Sequence, residues 1–399
     1  MANSLLTINM ITRQAVELFK NSNAFLMNVD RQFDDEFGRA GYKIGQNLRI
    51  RLPNDYSVTT GPALSLQDTA ETSVSLPVAT QKHVDIAFTS VEKSLSLDDY
   101  TKRVLAPAIN SLCGQIAADV MSGSESICNQ IANLDGSGNT INPTAKTWSN
   151  ANAILTKNSA PMGARMAITD PLTNANTMAS LSGLFNPSTR ITEQYESGTV
   201  KNALGFDWMD DQTVLTHTAG TFSAGTVNGA GQTGTTLVTN AITGTLKKGD
   251  IITIAGVNAV NRVTKVDTGQ LRQFVVTADV ATSATSIPIY PAIVVSPAPY
   301  STVTASPANS AAITLVNKAS EVTRKNFVLA PQAVTMAFAE LEIPKGGIIE
   351  GSRVTEYDTS LRIISGYLPG TDQFYTRIDV VYGYVWVRPE WAVNVMDSL

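Results

Sequence analysis

The sequence predicts an α+β chain in which an all-β insertion interrupts a mixed main body. Three observations carry this. Around residues 377–387, Ile378, Val380, Tyr382, Tyr384 and Trp386 fall on one parity, the period-two pattern of a strand with one large apolar face. Residues 96–134 hold an apolar stripe at helical spacing, too long for an ordinary helix and suited to a spine. At His217 the composition changes to Thr, Ser, Ala, Gly and Val, and the mixed style returns only after about residue 320.

The 399 residues allow two or three domains with a sizeable core. Hydrophobic residues make up 43% and charged ones only 16%, the composition of an ordered protein with a neutral surface, as in a subunit buried in an assembly. The net charge of −5, with no cluster of Lys and Arg, excludes a dedicated nucleic-acid binder, because phosphate contacts need clustered cations. DNA is then met weakly at most. Cys113 and Cys128 read as reduced core residues on one helix, roughly 20 Å apart and so unable to pair. The opening MANSLLTINMITRQ has no basic segment followed by an apolar one, so no signal peptide is expected. No uncharged apolar run of ~20 residues suggests a membrane span.

In chain order, residues 1–46 read as an arm. Ala15, Val16, Leu18, Phe19, Phe25 and Leu26 give it an amphipathic helix, and a lone helix must dock its apolar face on something. Residues 47–92 read as one long open hairpin: Leu48, Ile50 and Leu52 alternate in one strand, Val84, Ile86 and Phe88 in the other, with a Pro-, Ser- and Thr-rich stretch between. An extended loop of that length is stabilised by reaching a neighbour. The helix of 96–134 opens on Ser96 and Asp99, which resemble a capping box. Pro107 kinks or restarts it, MSGSES loosens it, and DGSGNTINP ends it. Residues 149–158 give a helix, 164–169 a strand and 213–217 another. The insertion holds short β-rich runs (IITIAG, NRVTKV, QFVVTA, IPIYPAIVV) separated by turn residues. Pro389 ends the 377–387 strand, and 391–396 alternates again as a second strand of the same late-closing sheet.

Signs of chemistry are weak. GAGQTG at Gly229, Gly231 and Gly234 matches a dinucleotide fingerprint only literally, since a loop precedes it and β-branched residues follow. It reads as a turn. His83 and His217 have no partner constellation, and the acids Asp34–Glu36, Asp98 with Asp99, and Asp210 with Asp211 read as a solvated face, a cap and a loop. No catalytic residue, cofactor or metal is expected. Lys247 and Lys248 in the turn LKKGDII could meet an acidic partner. The C-terminal tyrosines, Trp386 and Trp391 read as core.

The chain resembles the P22-like major capsid protein family of tailed bacteriophages. Three stretches carry the resemblance: GTVKNALGFDWMDDQTVLTHTAG (198–220), LKKGDIITIAGVNAVNRVTKV (246–266) and RIDVVYGYVWVRPEWAVNV (377–395), with GFD, KGD, YG and RPE in that order. The resemblance implies an α+β HK97 fold with an N-arm (1–46), an E-loop (47–92), a spine helix and peripheral domain (93–150), and an axial domain (151–217 and 321–399, the second part carrying peripheral-domain strands as well). A telokin-like β-barrel insertion (218–320) splits the axial domain. It implies a shell of hexamers and pentamers, first a scaffolded procapsid that expands as dsDNA enters. Its partners would be a scaffolding protein, a portal and weakly held DNA, without a membrane, assembled in the host cytoplasm and located in the virion. Candidate interface residues are Phe19, Phe25, Arg49, Arg51, Tyr56, Lys247, Lys248 and Asp250. A tail-tube protein is the structural alternative, though the spine helix counts against it, and a cytosolic hydrolase using the acid pairs is the enzymatic one.

Overall fold

The computed structural model describes residues 8–30, 47–52, 56, 61–62, 66, 73–88, 101–181, 202–344, 349–356, 359–368, 370 and 373–399. The acids at 34–36, Ser96, Asp98 and Asp99 lie outside them. The elements begin with helices α1 (Ile8–Ser22) and α2 (Ala24–Asn28) and strands β1 (Asn47–Arg51), β2 (Ser73–Pro77) and β3 (Thr80–Phe88). Helix α3 (Ala106–Ser122) follows a π-helical turn, Thr101–Leu105, and precedes β4 (Gln130–Leu134) and β5 (Thr140–Ile141). Next come α4 (Ala145–Lys157), β6 (Met166–Thr169), α5 (Pro171–Leu181), β7 (Asn202–Ala203), β8 (Phe206–Asp210) and β9 (Thr216–Thr218). The insertion holds β10 (Gly234–Val238), β11 (Ile251–Val260), β12 (Asp267–Val276), β13 (Ser286–Ile293) and β14 (Ile313–Leu315). The chain closes with β15 (Val322–Leu329), β16 (Val334–Ala339), β17 (Ile349–Glu356), β18 (Thr359–Leu368), β19 (Gln373–Trp386) and β20 (Ala392–Ser398).

These fall into two compact units. The first takes residues 1–51, 73–120 and 334–387. Its sheet is built on β19, which is long enough to pair antiparallel with β18 on one edge and β3 on the other, while β16 pairs with its end from Val381 to Trp386. The single hairpin expected over 47–92 is not what forms. Strand β1 pairs instead with β2, in a stretch expected to lack structure, and β3 belongs to the β19 sheet. Val74 and Leu76 alternate enough to make β2, and Pro77, which has no N–H to give, closes it. Leu48, Leu76 and Val78 then pack with Ala337, Leu341 and Val381. Helix α1 docks within its own unit, where Phe19 meets Phe338 edge-on at 6.1 Å.

The expected helix of 96–134 is shorter. Its π-helical turn gives way to α3 at Ala106, so Pro107 sits where the helix changes from π to α. Gly123–Ser126 tightens to a 3-10 turn and the helix stops. Ile131 and Leu134 continued the apolar pattern in sequence but belong to β4, which pairs parallel with β20. Residues 103–126 are long and apolar enough by composition to cross a membrane; Leu105, Ile109, Leu112, Ile116 and Val120 among them are fully buried core.

The second unit takes 52–72, 121–333 and 388–399. Its sheet runs β5-β4-β20-β15-β6-β8-β7, with β9 also on β15. Helix α4 covers one face: Trp148, Ala151 and Leu155 pack with Phe206, Trp208, Val328, Val393 and Val395. The insertion forms a separate antiparallel sheet, β10-β13-β12-β11-β14. Its core is drawn from its own residues, Phe222 to Ile313. The two C-terminal strands expected in one sheet are divided: β19 lies in the first unit and β20 in the second. Pro389 starts the 3-10 turn Pro389–Trp391 that parts them.

Candidate assembly site

The motif residues are staples inside the subunit. In KGD, Gly249 has φ +90°, a conformation that favours glycine. A Cβ there would stand 2.8 Å from Lys325 Nζ. Asp250 is buried. One of its oxygens lies 2.8 Å from His217 Nε2, and the other accepts the N–H groups of Gly220 at 3.0 Å and Lys247 at 2.7 Å. One carboxylate therefore ties the residues where the insertion begins to the turn that enters β11. Lys325, on the strand where the chain returns, donates to the Gly249 carbonyl at 2.9 Å. Burial pulls its pKa down to about 8, against the opposing pull of Glu125 and Asp250. Asp250, a candidate for contact with a neighbour, has both its oxygens engaged within its own chain.

In the YG pair, Tyr382 is buried and its hydroxyl donates to Asp119, which also pairs with Lys82 at 2.7 Å. A Cβ on Gly383 would lie 2.2 Å from the Pro77 carbonyl oxygen, so only glycine lets β19 pass the β2–β3 turn. Beside them Asp379, missed by the parity reading, is fully buried and takes bonds from Arg362 and Arg377. Burial alone would raise its pKa, but these bonds prevail and hold it below the usual carboxylate range. The signal was present in the sequence as an acid amid the apolar strand with arginines at 362 and 377.

The candidates Phe19 and Phe25 are buried in the subunit's own first unit. The other candidates lie outside. Arg49 and Arg51 are exposed on β1. Lys247 and Lys248 are about half exposed, Lys247 3.4 Å from Asp279 and Lys248 3.0 Å from Glu125. Tyr56 is 59% exposed and Leu66, in the same connection between β1 and β2, 86%.

The features that suggested chemistry resolve into structure. Gly229, Gly231 and Gly234 all have positive φ, and the strand β10 follows them where a nucleotide site would need a helix. Asp210 accepts from Thr169 Oγ1 at 3.0 Å and from Asn174, while Asp211 accepts the Thr213 N–H at 2.8 Å. His83 makes an exposed pair with Asp85 at 3.3 Å. Cys113 and Cys128 are free and buried, Cys128 beyond the helix end. Among the described residues, no group of three His, Cys, Asp or Glu side chains is placed to hold a metal ion.

Polar groups spent on internal staples and apolar groups left on a long connection define a structural, shell-building subunit. The chain belongs to the P22 coat protein family, whose model, "P22 coat protein - gene protein 5", matches residues 1–396. With that membership come the HK97-like α+β fold and the role of major capsid protein of a tailed bacteriophage, which self-assembles into the shell of the virion. Among solved structures, the chain is similar to one titled "Mycobacterium phage Che8", with 12% identity over 94% of this chain and 90% of that one and a TM-score of 0.45. It is similar to the mature capsid of bacteriophage PhiM1, with 10% identity over 94% and 86% of the two chains and a TM-score of 0.43. The CUS-3 coat protein I-domain matches at 33% identity over 24% of this chain and 96% of that one, with a TM-score of 0.20. No curated protein sequence matches the chain.

Proposed function

We propose that the subunit assembles in the host cytoplasm as an icosahedral procapsid of hexamers and pentamers, with a scaffolding protein and around a portal, and that this shell expands as dsDNA enters. The chain acts without catalysis. The observation that carries the reading is the β1–β2 connection, where Tyr56 and Leu66 stand exposed at 59% and 86%. A large apolar side chain left in water on such a connection is surface that a neighbouring subunit would cover. Residues 47–92 act as the E-loop, with Arg49, Arg51 and Tyr56 meeting one neighbour and Lys247 and Lys248 another. Contacts of this kind are individually weak and sum over many subunits, which keeps assembly correctable. A net charge of −5 lets the shell confine DNA without gripping it.

The test is expression with a scaffolding protein and electron microscopy of the product, for the native chain and for one in which a short Gly-Ser linker replaces residues 53–72. Closed shells from the native chain and folded, unassembled subunits from the shortened one are expected. Normal shells from the shortened chain would remove the loop's role.

A further inference from the structure

The second unit contains a cavity of about 180 Å³ lined by Lys157, Arg262, Arg272, Ser301, Arg388 and Glu390. It adjoins another of about 260 Å³, and Arg272 lines both. Each is an order of magnitude larger than the roughly 10–15 Å³ one water needs. Arg388 and Glu390 are the charged residues of the RPE motif, so this is where that motif leads.

Among the described residues that line it are four cationic side chains and one carboxylate. That carboxylate, Glu390, is engaged by Arg262 at 3.3 Å and by the Tyr290 hydroxyl at 2.9 Å. Arg272 is only 8% exposed, yet its polar partners are the Asn158 amide oxygen at 3.4 Å and the Cys128 sulfur at 3.6 Å. Neither is an anion. Burial raises the Cys128 pKa to about 11, so the thiol keeps its proton at neutral pH. Among the described residues, Arg272 Nε has no hydrogen-bond partner, and neither has the hydroxyl of Ser301, which is 5% exposed. A buried guanidinium with an unsatisfied N–H is costly, and so is a buried hydroxyl without a partner. Arg388 is stacked on Trp391, 4.4 Å from the ring centroid, which holds a further guanidinium at the cavity.

We infer that this cavity is a phosphate-class oxyanion site, with Arg272 Nε and Ser301 Oγ as its donors and Lys157 and Arg388 supplying field. An oxyanion bound there would satisfy two stranded groups beside cationic side chains, and its negative charge suits a buried guanidinium better than an uncharged ligand does. Guanidinium and hydroxyl donors suit a tetrahedral oxyanion, each taking a different oxygen.

The test is calorimetric titration of the full-length, unassembled subunit with sodium phosphate, ionic strength held constant with chloride. One saturable site per subunit is expected. Arg272→Met should weaken it about tenfold or more, the scale of losing a charge-assisted hydrogen bond, and Ser301→Ala severalfold. Because Arg272 is buried, Ser301→Ala and exposed Lys157→Met serve as variants that keep the fold, and both should weaken binding. Displacement of phosphate by duplex DNA would assign the group to a nucleic-acid backbone. Its absence would assign a free ion, and the site stands in either case. No saturable binding by the native chain, or unchanged affinity in both Ser301→Ala and Lys157→Met, would overturn the inference.

Discussion

Arg362 Nη2 lies 2.7 Å from Asp379 Oδ2, and the two residues are register partners across the β18–β19 ladder. Arg377 reaches the other oxygen of the same carboxylate, also at 2.7 Å. The sheet of the first unit is thus fastened through a carboxylate with no exposed surface.

Replacing that carboxylate leaves two guanidinium groups facing a neutral amide. Asp379→Asn should cost about 3–5 kcal/mol, the scale of breaking a buried pair from one side. The pH dependence follows from the depressed pKa of Asp379. A carboxylate lowered on folding contributes stability above its unfolded pKa, near 4, and loses it as pH falls through the folded value. Urea unfolding of the unassembled subunit at pH 7 should show the full deficit, and the gap between native and variant should close below about pH 4. Equal midpoints at pH 7 would refute the account.

Lys325 has the opposite sign. Its pKa falls from 10.5 to about 8 on folding, so between those values the unfolded chain binds the extra proton and stability rises with pH. The full swing is roughly 3 kcal/mol. Lys325→Met should flatten the rise between pH 8 and 10.5 while leaving the response at lower pH in place. Parallel curves for native and variant across that window would show that the ammonium does not lose its proton in the folded state.

Which parts of this were legible in the sequence has a physical pattern. Alternation at 377–387 and the composition change at His217 were legible because both are local: a strand's period, and an insertion that supplies its own core. The failures came where a local signal had two possible uses. Ile131 and Leu134 fit the helical stripe, but Ile131 is drawn into a parallel pairing with β20, a contact across more than 250 residues that no window shows, and Leu134 pairs with Thr140 of β5. The partner of β1 was missed for the same reason, since β2 is short and lies in a turn-rich stretch. Asp250 looked like a surface charge beside two lysines. Only the fold brings His217 and Gly220 to it. Gly383 was noticed as part of a motif, but its reason is the passage of Pro77 close by.

That passage yields a paired test. A Cβ on Gly383 would sit 2.2 Å from the Pro77 carbonyl oxygen and 2.9 Å from Val78 Cα, both backbone atoms that cannot rotate aside. Gly383→Ala should cost at least about 1–3 kcal/mol, as overpacking does. Gly114, inside α3, has open space where its Cβ would be. Gly114→Ala should stabilise by about 0.5–1 kcal/mol through helix propensity. The two changes add the same methyl group, and melting of the two variants under one condition should move in opposite directions. A stabilising Gly383→Ala would mean that β19 and the β2–β3 turn are not in register as described.

Trp386 gives the sharpest separation between the two sheets. It is buried at the end of β19, and its indole N–H donates to the Val120 carbonyl at 3.1 Å. Trp386→Asp puts a charge against the apolar partners of that strand and strands a carbonyl, a combination beyond what one unit's margin tolerates. The insertion should not notice. Its core, from Phe222 and Val227 through Phe274 to Ile313, is drawn from its own residues. Limited proteolysis of the Trp386→Asp subunit should digest residues 334–387 and leave a resistant fragment near 218–320. The excised 218–320 segment should show dispersed amide resonances and a cooperative melt. Trp386→Phe, which loses only the hydrogen bond and some area, should cost about 1–3 kcal/mol and keep the fold. If Trp386→Asp instead unfolds at the native midpoint, the β19 face is not core. If the resistant fragment vanishes with residues 334–387, the insertion depends on the rest of the chain for its stability.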